Sequence, residues 1–168
     1  MDYCKFLIGA GLAIAAAARA GATPVSATTD ASGKALILVP LTLTKVTDLD
    51  FGTIITSSTS GTVSIAADGS GQSFTGGVTP LASALGSRAQ FAGAGTPNQQ
   101  VGLFLAPPAT IKDGAGNSMP ISMNLESTSV IIDSARAFFV GVGGTVNVGP
   151  NQPDGVYTGT FTVLAQYN

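Results

Sequence analysis

The residues that could carry out chemistry in this 168-residue chain are few. The sequence has no His, and its one Cys is Cys4. A Ser-His-Asp triad, a Cys-His pair and a zinc site with His ligands each need at least one His, so this chain alone can assemble none of them. A serine nucleophile also needs a base, and none of Lys34, Lys45 and Lys112 stands in an S-x-x-K motif. The sequence therefore predicts a protein that is not an enzyme.

Two groups of acidic residues have spacings that suit cation binding or acid–base work. Asp48 and Asp50 alternate along an extended segment, which places both carboxylates on one face. We interpret them instead as caps for the backbone N–H groups of a turn. Residues 113–117 (D-G-A-G-N) lack the register and the closing Glu of a calcium loop, and this favours a hairpin turn. The sequence predicts no metal site and no cofactor.

Glycine, charge and aromatic content exclude further functions. Residues 141–144 (G-V-G-G) are followed by no helical pattern, so they indicate a bulge or a close approach of strands, not a phosphate-binding loop. Seven basic residues, nine acidic residues and no basic run give nucleic-acid binding no electrostatic support. Trp is absent, and Tyr157 and Tyr167 are predicted to be strand anchors with buried rings and hydroxyl groups in water.

The first residues resemble an export signal. Lys5 precedes an apolar run over residues 6–18, and small residues follow it. As a helix this run would rise about 20 Å, less than the ~30 Å hydrocarbon core of a membrane. We therefore predict a cleaved signal peptide over residues 1–22, with Ala20 and Ala27 as alternative cleavage positions, and a flexible mature N-terminus over residues 23–33. No later segment is apolar for long enough to span a membrane, and export leads to the periplasm and then to the cell surface.

The rest of the chain has the alternation typical of strands and forms one predicted domain, residues 34–168. Ala35, Ile37, Val39, Leu41 and Leu43 share one face of an extended segment that Pro40 interrupts. Short apolar runs separated by Gly, Ser, Asp, Asn and Pro predict an all-β, antiparallel β-sandwich. The predicted strands are 53–56, 61–66, 72–78, 89–91, 101–106, 121–125, 130–132, 137–142, 145–148 and 156–167. Residues 80–88 could form one or two helical turns.

Both ends of the predicted domain are apolar strands. The closing strand, 156–167, places Tyr157, Phe161, Val163 and Tyr167 on one face. At the other end, residues 34–39 form a candidate donor strand through Ala35, Leu36, Ile37, Leu38 and Val39. A flat apolar strand aggregates unless something pairs with it, and strand addition from another chain is one way to pair it. Burial of four or five of these side chains would contribute about 6–15 kcal/mol, which is comparable with the whole stability of a domain.

Two motifs resemble those of known families. The L-D-F-G block at residues 49–52 and the G-x-Y-T-G-T block at residues 155–160 resemble the start and the close of an uncharacterised bacterial envelope domain family. Both blocks are similar, more distantly, to the spore-coat-protein-U-like pilins of archaic chaperone–usher fimbriae. This resemblance implies an incomplete immunoglobulin-like sandwich. A periplasmic chaperone would hold it, an outer-membrane usher would assemble it, and the N-terminal strand of the next like subunit would complete it.

These observations lead to one predicted function and one alternative. The first is a non-catalytic, secreted structural protein, a pilin-like fimbrial subunit assembled by β-strand complementation into a homopolymer or fibre. The alternative is a self-complete, monomeric β-sandwich that binds a glycan or a protein through its loops. The two differ in whether residues 34–39 pair within their own chain or with another.

Overall fold

The structure is a computed structural model, and it describes residues 32–168. The predicted signal peptide and residues 23–31 lie outside the described residues. The chain divides into a unit that ends at Leu36 and a second unit, Ile37–Asn168. In the first unit, residues 32–36 form no strand and their side chains are exposed. The second unit contains every strand described below.

Residues 37–168 form strands and no helix, as the period-2 alternation predicts. The strands are β1 (Thr42–Thr47), β2 (Asp50–Ile55), β3 (Gly61–Ile65), β4 (Gln72–Gly76), β5 (Thr79–Ser87), β6 (Ala89–Ala94), β7 (Gln100–Ala106), β8 (Thr110–Lys112), β9 (Ser118–Leu125), β10 (Ser129–Ile131), β11 (Ala137–Val148) and β12 (Thr162–Tyr167). Within the described part of the chain, no helix is long and apolar enough to cross a membrane.

The strands form antiparallel sheets in a sandwich-like arrangement, which confirms the predicted fold class. The largest sheet has the order β1-β6-β11-β3-β4, and it extends through β9, which pairs with β11, to β8. A second sheet has the order β10-β7-β12, and β2 pairs with β5 as a separate two-stranded sheet. Apolar side chains from the facing sheets form two buried cores.

The longest strand, β11, links the two cores. The first core contains Ala89, Phe91, Val101, Leu103, Ile132, Phe138, Val140, Val142 and Val163. The second core contains Val63, Val78, Ile111, Met119, Val146 and Val148. The N-terminal half of β11 pairs with β6, its C-terminal half pairs with β3, and its middle also pairs with β9. One strand therefore supplies buried side chains to both cores.

The glycines of β11 allow neighbouring backbone to come close. A Cβ atom on Gly143 would clash with the carbonyl oxygen of Ile65, and one on Gly141 would clash with that of Ala67. The interpretation of residues 141–144 as a close approach of strands is confirmed. The break predicted between strands 137–142 and 145–148 is wrong, because Ala137–Val148 form one continuous strand that includes these glycines.

Residues 80–87 lie in a strand, so the prediction of helical turns over residues 80–88 is wrong. They belong to β5, which pairs with β2 so that Leu85 lies opposite Gly52 and Pro80 lies opposite Ile54. A helix of nine residues is marginal in water without a packed apolar face. Pairing with β2 instead gives this segment stable backbone hydrogen bonds between strands.

Candidate functional site: a groove beside the closing segment

An open groove of about 740 Å³ lies over the second core. One wall consists of residues 48–54 and Thr56, and the other consists of residues 152–159 and Phe161. The floor is apolar and is formed by side chains of β8, β9 and β11, namely Ile111, Met119, Ile121, Met123, Val146 and Val148. The groove thus lies over the second core between two stretches of backbone, and of its floor only Ile121 and Met123 are partly exposed.

The first wall follows from the path of β2. Asp50 Oδ1 accepts a hydrogen bond from the N–H of Gly52 at 2.8 Å, and Gly52 has a φ of 73°. A side chain at Gly52 would clash with the backbone of Ala84, so glycine permits the close pairing of β2 with β5. No other strand of residues 32–168 pairs with β2. One edge of β2 is therefore available for a further strand.

The second wall is held by the Tyr157 side chain. Its hydroxyl donates a hydrogen bond to the carbonyl of Pro153 at 2.8 Å and accepts one from Gln152 Nε2 at 2.9 Å. A Tyr hydroxyl bonded to backbone a few residues upstream, near the start of a late strand, is the tyrosine-corner arrangement of immunoglobulin-like sandwiches. The Tyr157 hydroxyl is therefore bonded to protein, whereas the sequence analysis placed it in water.

The closing segment is not one strand over 156–167, as the sequence analysis predicts. Thr158 exchanges two backbone hydrogen bonds with Lys112, and β12 begins only at Thr162 and pairs with β7. Between these pairings, Gly159 passes close to Ile111. The chain thus moves from β8 in the largest sheet to β7 in the other sheet, and the period-2 pattern gives no sign of this change of partner.

The four predicted closing-strand residues accordingly contact different cores. Tyr157 packs against the second core. Phe161, Val163 and Tyr167 lie at the first core, where the Phe161 ring meets that of Phe91 at 6.1 Å between centroids in an edge-to-face geometry. Several side chains from β1, the β1–β2 connection and the closing segment remain only partly buried there: Leu43, Leu49, Phe161, Ala165 and Tyr167. Within residues 32–168, β12 pairs with β7 alone.

Tyr167 also binds the chain just before β1. Its hydroxyl donates a hydrogen bond to the carbonyl of Val39 at 2.7 Å and accepts one from the N–H of Thr96 at 2.9 Å. The N–H of Val39 in turn donates to Thr96 Oγ1 at 2.8 Å. This hydroxyl is bonded to two backbone groups, a contact that the sequence analysis does not predict because the sequence contains no signal that links residues so far apart.

The predicted donor residues, Ala35 to Val39, lie outside every strand of the structure. The Ile37 side chain is 90% exposed, those of Leu36 and Val39 are also exposed, and that of Leu38 is half-buried. The long strand that the alternation predicts from Ala35 therefore begins only at Thr42. Their role as a donor strand remains a prediction.

The acidic motifs are engaged in turns. Asp50 caps Gly52 as predicted, whereas Asp48 forms an ion pair with Lys45 at 2.6 Å. Asp113 accepts hydrogen bonds from the N–H groups of Ala115 and Asn117 and from the Asn117 side chain, in a turn between β8 and β9. The Asn117 side-chain bond is the main cause that lowers the pKa of Asp113. Among residues 32–168, no three acidic, His or Cys side chains cluster as metal ligands would.

Comparison with known proteins gives one match. A family model described as a domain of unknown function, DUF4402, matches residues 41–167. No curated protein and no solved structure matches the chain. The matched range contains both sequence motifs and both walls of the groove, and it begins just after the apolar residues 35–39.

Proposed function

The chain belongs to the DUF4402 family, and from that premise we propose that it is a structural subunit of the bacterial envelope that assembles by β-strand complementation. In this proposal, residues 34–39 of one copy enter the groove of the next copy. The observation that carries the proposal is that one chain holds both an exposed, unpaired apolar segment and a groove with an apolar floor and an available edge of β2. The protein has no catalytic role.

The apolar segment supplies the driving force. Ile37 and Leu36 are 90% and 67% exposed, although burial of such a side chain is worth about 1.5–3 kcal/mol. An extended strand of six residues spans about 20 Å, which matches the six residues of β2, most of which line the groove. Main-chain hydrogen bonds to the available edge of β2 would supply affinity, and alternating side chains on the apolar floor would supply specificity.

The same features account for the proposed partners and location. An exposed apolar segment and an available edge of β2 are an aggregation hazard until both are paired. A periplasmic chaperone would cover it during export, and an outer-membrane usher would exchange the chaperone for the next like subunit. The subunit would pass through the periplasm and function at the cell surface.

The experiment compares two variants of the mature chain by size-exclusion chromatography with light scattering. Ile37→Asp places a carboxylate where the proposal buries an aliphatic side chain, so oligomers should give way to monomers, and the melting temperature should fall because the donor strand no longer stabilises the fold. Ser32→Asp adds the same charge at an exposed polar position and should leave the oligomers intact. Equal oligomer fractions in Ile37→Asp and the parent would refute strand complementation.

A second function, that of a self-complete binding module, is favoured by the size of the groove. About 740 Å³ lies within the ~300–1,000 Å³ typical of small-molecule sites, and Gln152, Asp154 and Tyr157 give one wall polar groups. The same chromatography separates the two functions. A parent chain that is monomeric at all concentrations, with residues 34–39 protected from proteolysis, would support the module.

A further inference from the structure

We infer that Thr96 and Tyr167 clamp Val39 so that the apolar segment cannot enter the groove of its own chain, which makes strand complementation intermolecular. This inference rests on the proposed function and adds to it a device that selects the partner. The clamp comprises the three hydrogen bonds described above: one joins Val39 to Thr96, one joins Val39 to Tyr167, and one joins Thr96 to Tyr167. Its members act as positioning residues.

The clamp occupies both backbone groups of Val39. The N–H of Val39 is bonded to Thr96 Oγ1, and its carbonyl oxygen is bonded to the Tyr167 hydroxyl. Val39 therefore has no free donor for a strand ladder, so within the segment 34–39 the ladder hydrogen bonds come from residues 34–38 and Val39 marks its fixed end. The fit is tight, because a Cβ atom on Gly95 would clash with the Tyr167 hydroxyl and with the buried Ile132 side chain.

Pro40 fixes the direction in which the chain leaves the clamp. The ring of Pro40 restricts Val39 to an extended conformation and holds its own φ near −65°. Only Leu41 separates Pro40 from the start of β1 at Thr42. While the clamp holds Val39, a return beside β1 would have to turn within Pro40 and Leu41, and the favoured two-residue turns require at least one positive φ. Neither Pro40 nor Leu41 has one.

A neighbouring copy is free of this constraint. Its residues 34–38 approach the groove without a covalent link to β1, so they can align with an available strand edge in either direction. The groove is lined by none of the residues Ile37–Pro40. The clamp thus leaves the groove accessible to another chain while it holds the start of its own β1 in place.

The test measures the ratio of monomer to oligomer in the mature chain with the double substitution Thr96→Val and Tyr167→Phe. Loss of the clamp should allow the segment to fold back, so this ratio should rise about tenfold, or ~1.4 kcal/mol. In the new monomers, hydrogen exchange should show residues 34–39 protected. Thr62→Val is the matched control, because it removes a Thr–Thr hydrogen bond between β3 and β4, away from the clamp.

Two further measurements make a failure interpretable. Thr96→Ser keeps a hydroxyl that can accept from Val39 and should retain the parental ratio even if the Val variant folds poorly. In the parent chain, the Val39 amide should exchange slowly in monomers and oligomers alike, and rapid exchange would overturn the clamp.

If Ile37→Asp dissolves the oligomers but the double substitution leaves the ratio unchanged, the clamp is refuted and strand complementation stands. If Ile37→Asp changes nothing, the proposed function itself fails.

Discussion

Substitution of Gly93 by Ala should be among the most destabilising single-methyl additions in this fold. Gly93 lies in β6 opposite Phe138 of β11, and the Phe138 ring covers the position that a Cβ atom on Gly93 would occupy. Phe138 is only 3% exposed, so its ring has no open space into which to move. Overpacking of a tight core costs about 1–3 kcal/mol. We expect a value near 3 kcal/mol, because the clash involves a rigid ring.

Urea unfolding of the mature chain at fixed protein concentration measures this loss. With a slope of about 1–3 kcal/mol per M, the midpoint should fall by roughly 1 M or more. Gly114→Ala is the matched control, because no atom lies within 4 Å of the added Cβ and its φ is not positive. The smaller side chain of Phe138→Leu should relieve part of the cost when combined with Gly93→Ala. A midpoint for Gly93→Ala equal to that of the control would show that the ring does not cover this glycine.

Three other predictions concern the closing segment and the β8–β9 turn. Tyr157→Phe removes both hydrogen bonds of the tyrosine corner, so the free energy of unfolding should fall by about 1–3 kcal/mol in urea unfolding; an unchanged midpoint would contradict this. Deletion of residues 166–168 removes the pairing of β12 with Val101 and the anchoring hydroxyl of Tyr167, so the melting temperature of the purified chain should drop, and a normal value would refute the role of this end. Because the pKa of Asp113 is lowered, its bonds stabilise the fold at neutral pH, and this stabilisation is lost as the pH falls below about 4. The stability difference between the parent and Asp113→Asn should therefore shrink on acidification, and a difference independent of pH would exclude this origin.

The sequence predicts most strands because their pattern is local. The predicted strands 61–66, 72–78 and 101–106 each overlap an observed strand, as alternating side chains between turn residues specify which face is buried. Strand β5 is missed because Ala and Leu in residues 80–88 favour helix locally, and only the distant β2 decides otherwise. Local propensity contains no information on such a partner.

The groove could be predicted only in part. The apolar character of residues 35–39 and of the closing segment is visible in the sequence. The change of partner at Gly159 and the bonds from Tyr167 to Val39 join residues that are remote along the chain. A Tyr pattern alone does not show which backbone groups the fold brings within reach of the hydroxyl groups of Tyr157 and Tyr167.

The sharing of β11 between the two cores has a consequence for cooperativity. The N-terminal half of this strand is buried in one core and its C-terminal half in the other. Neither core can therefore open without breaking backbone hydrogen bonds of β11, which also holds the other core. Partial unfolding that exposes only one core is therefore penalised by loss of contacts in both. The domain should melt as a single unit, with few half-open species available to proteases before assembly.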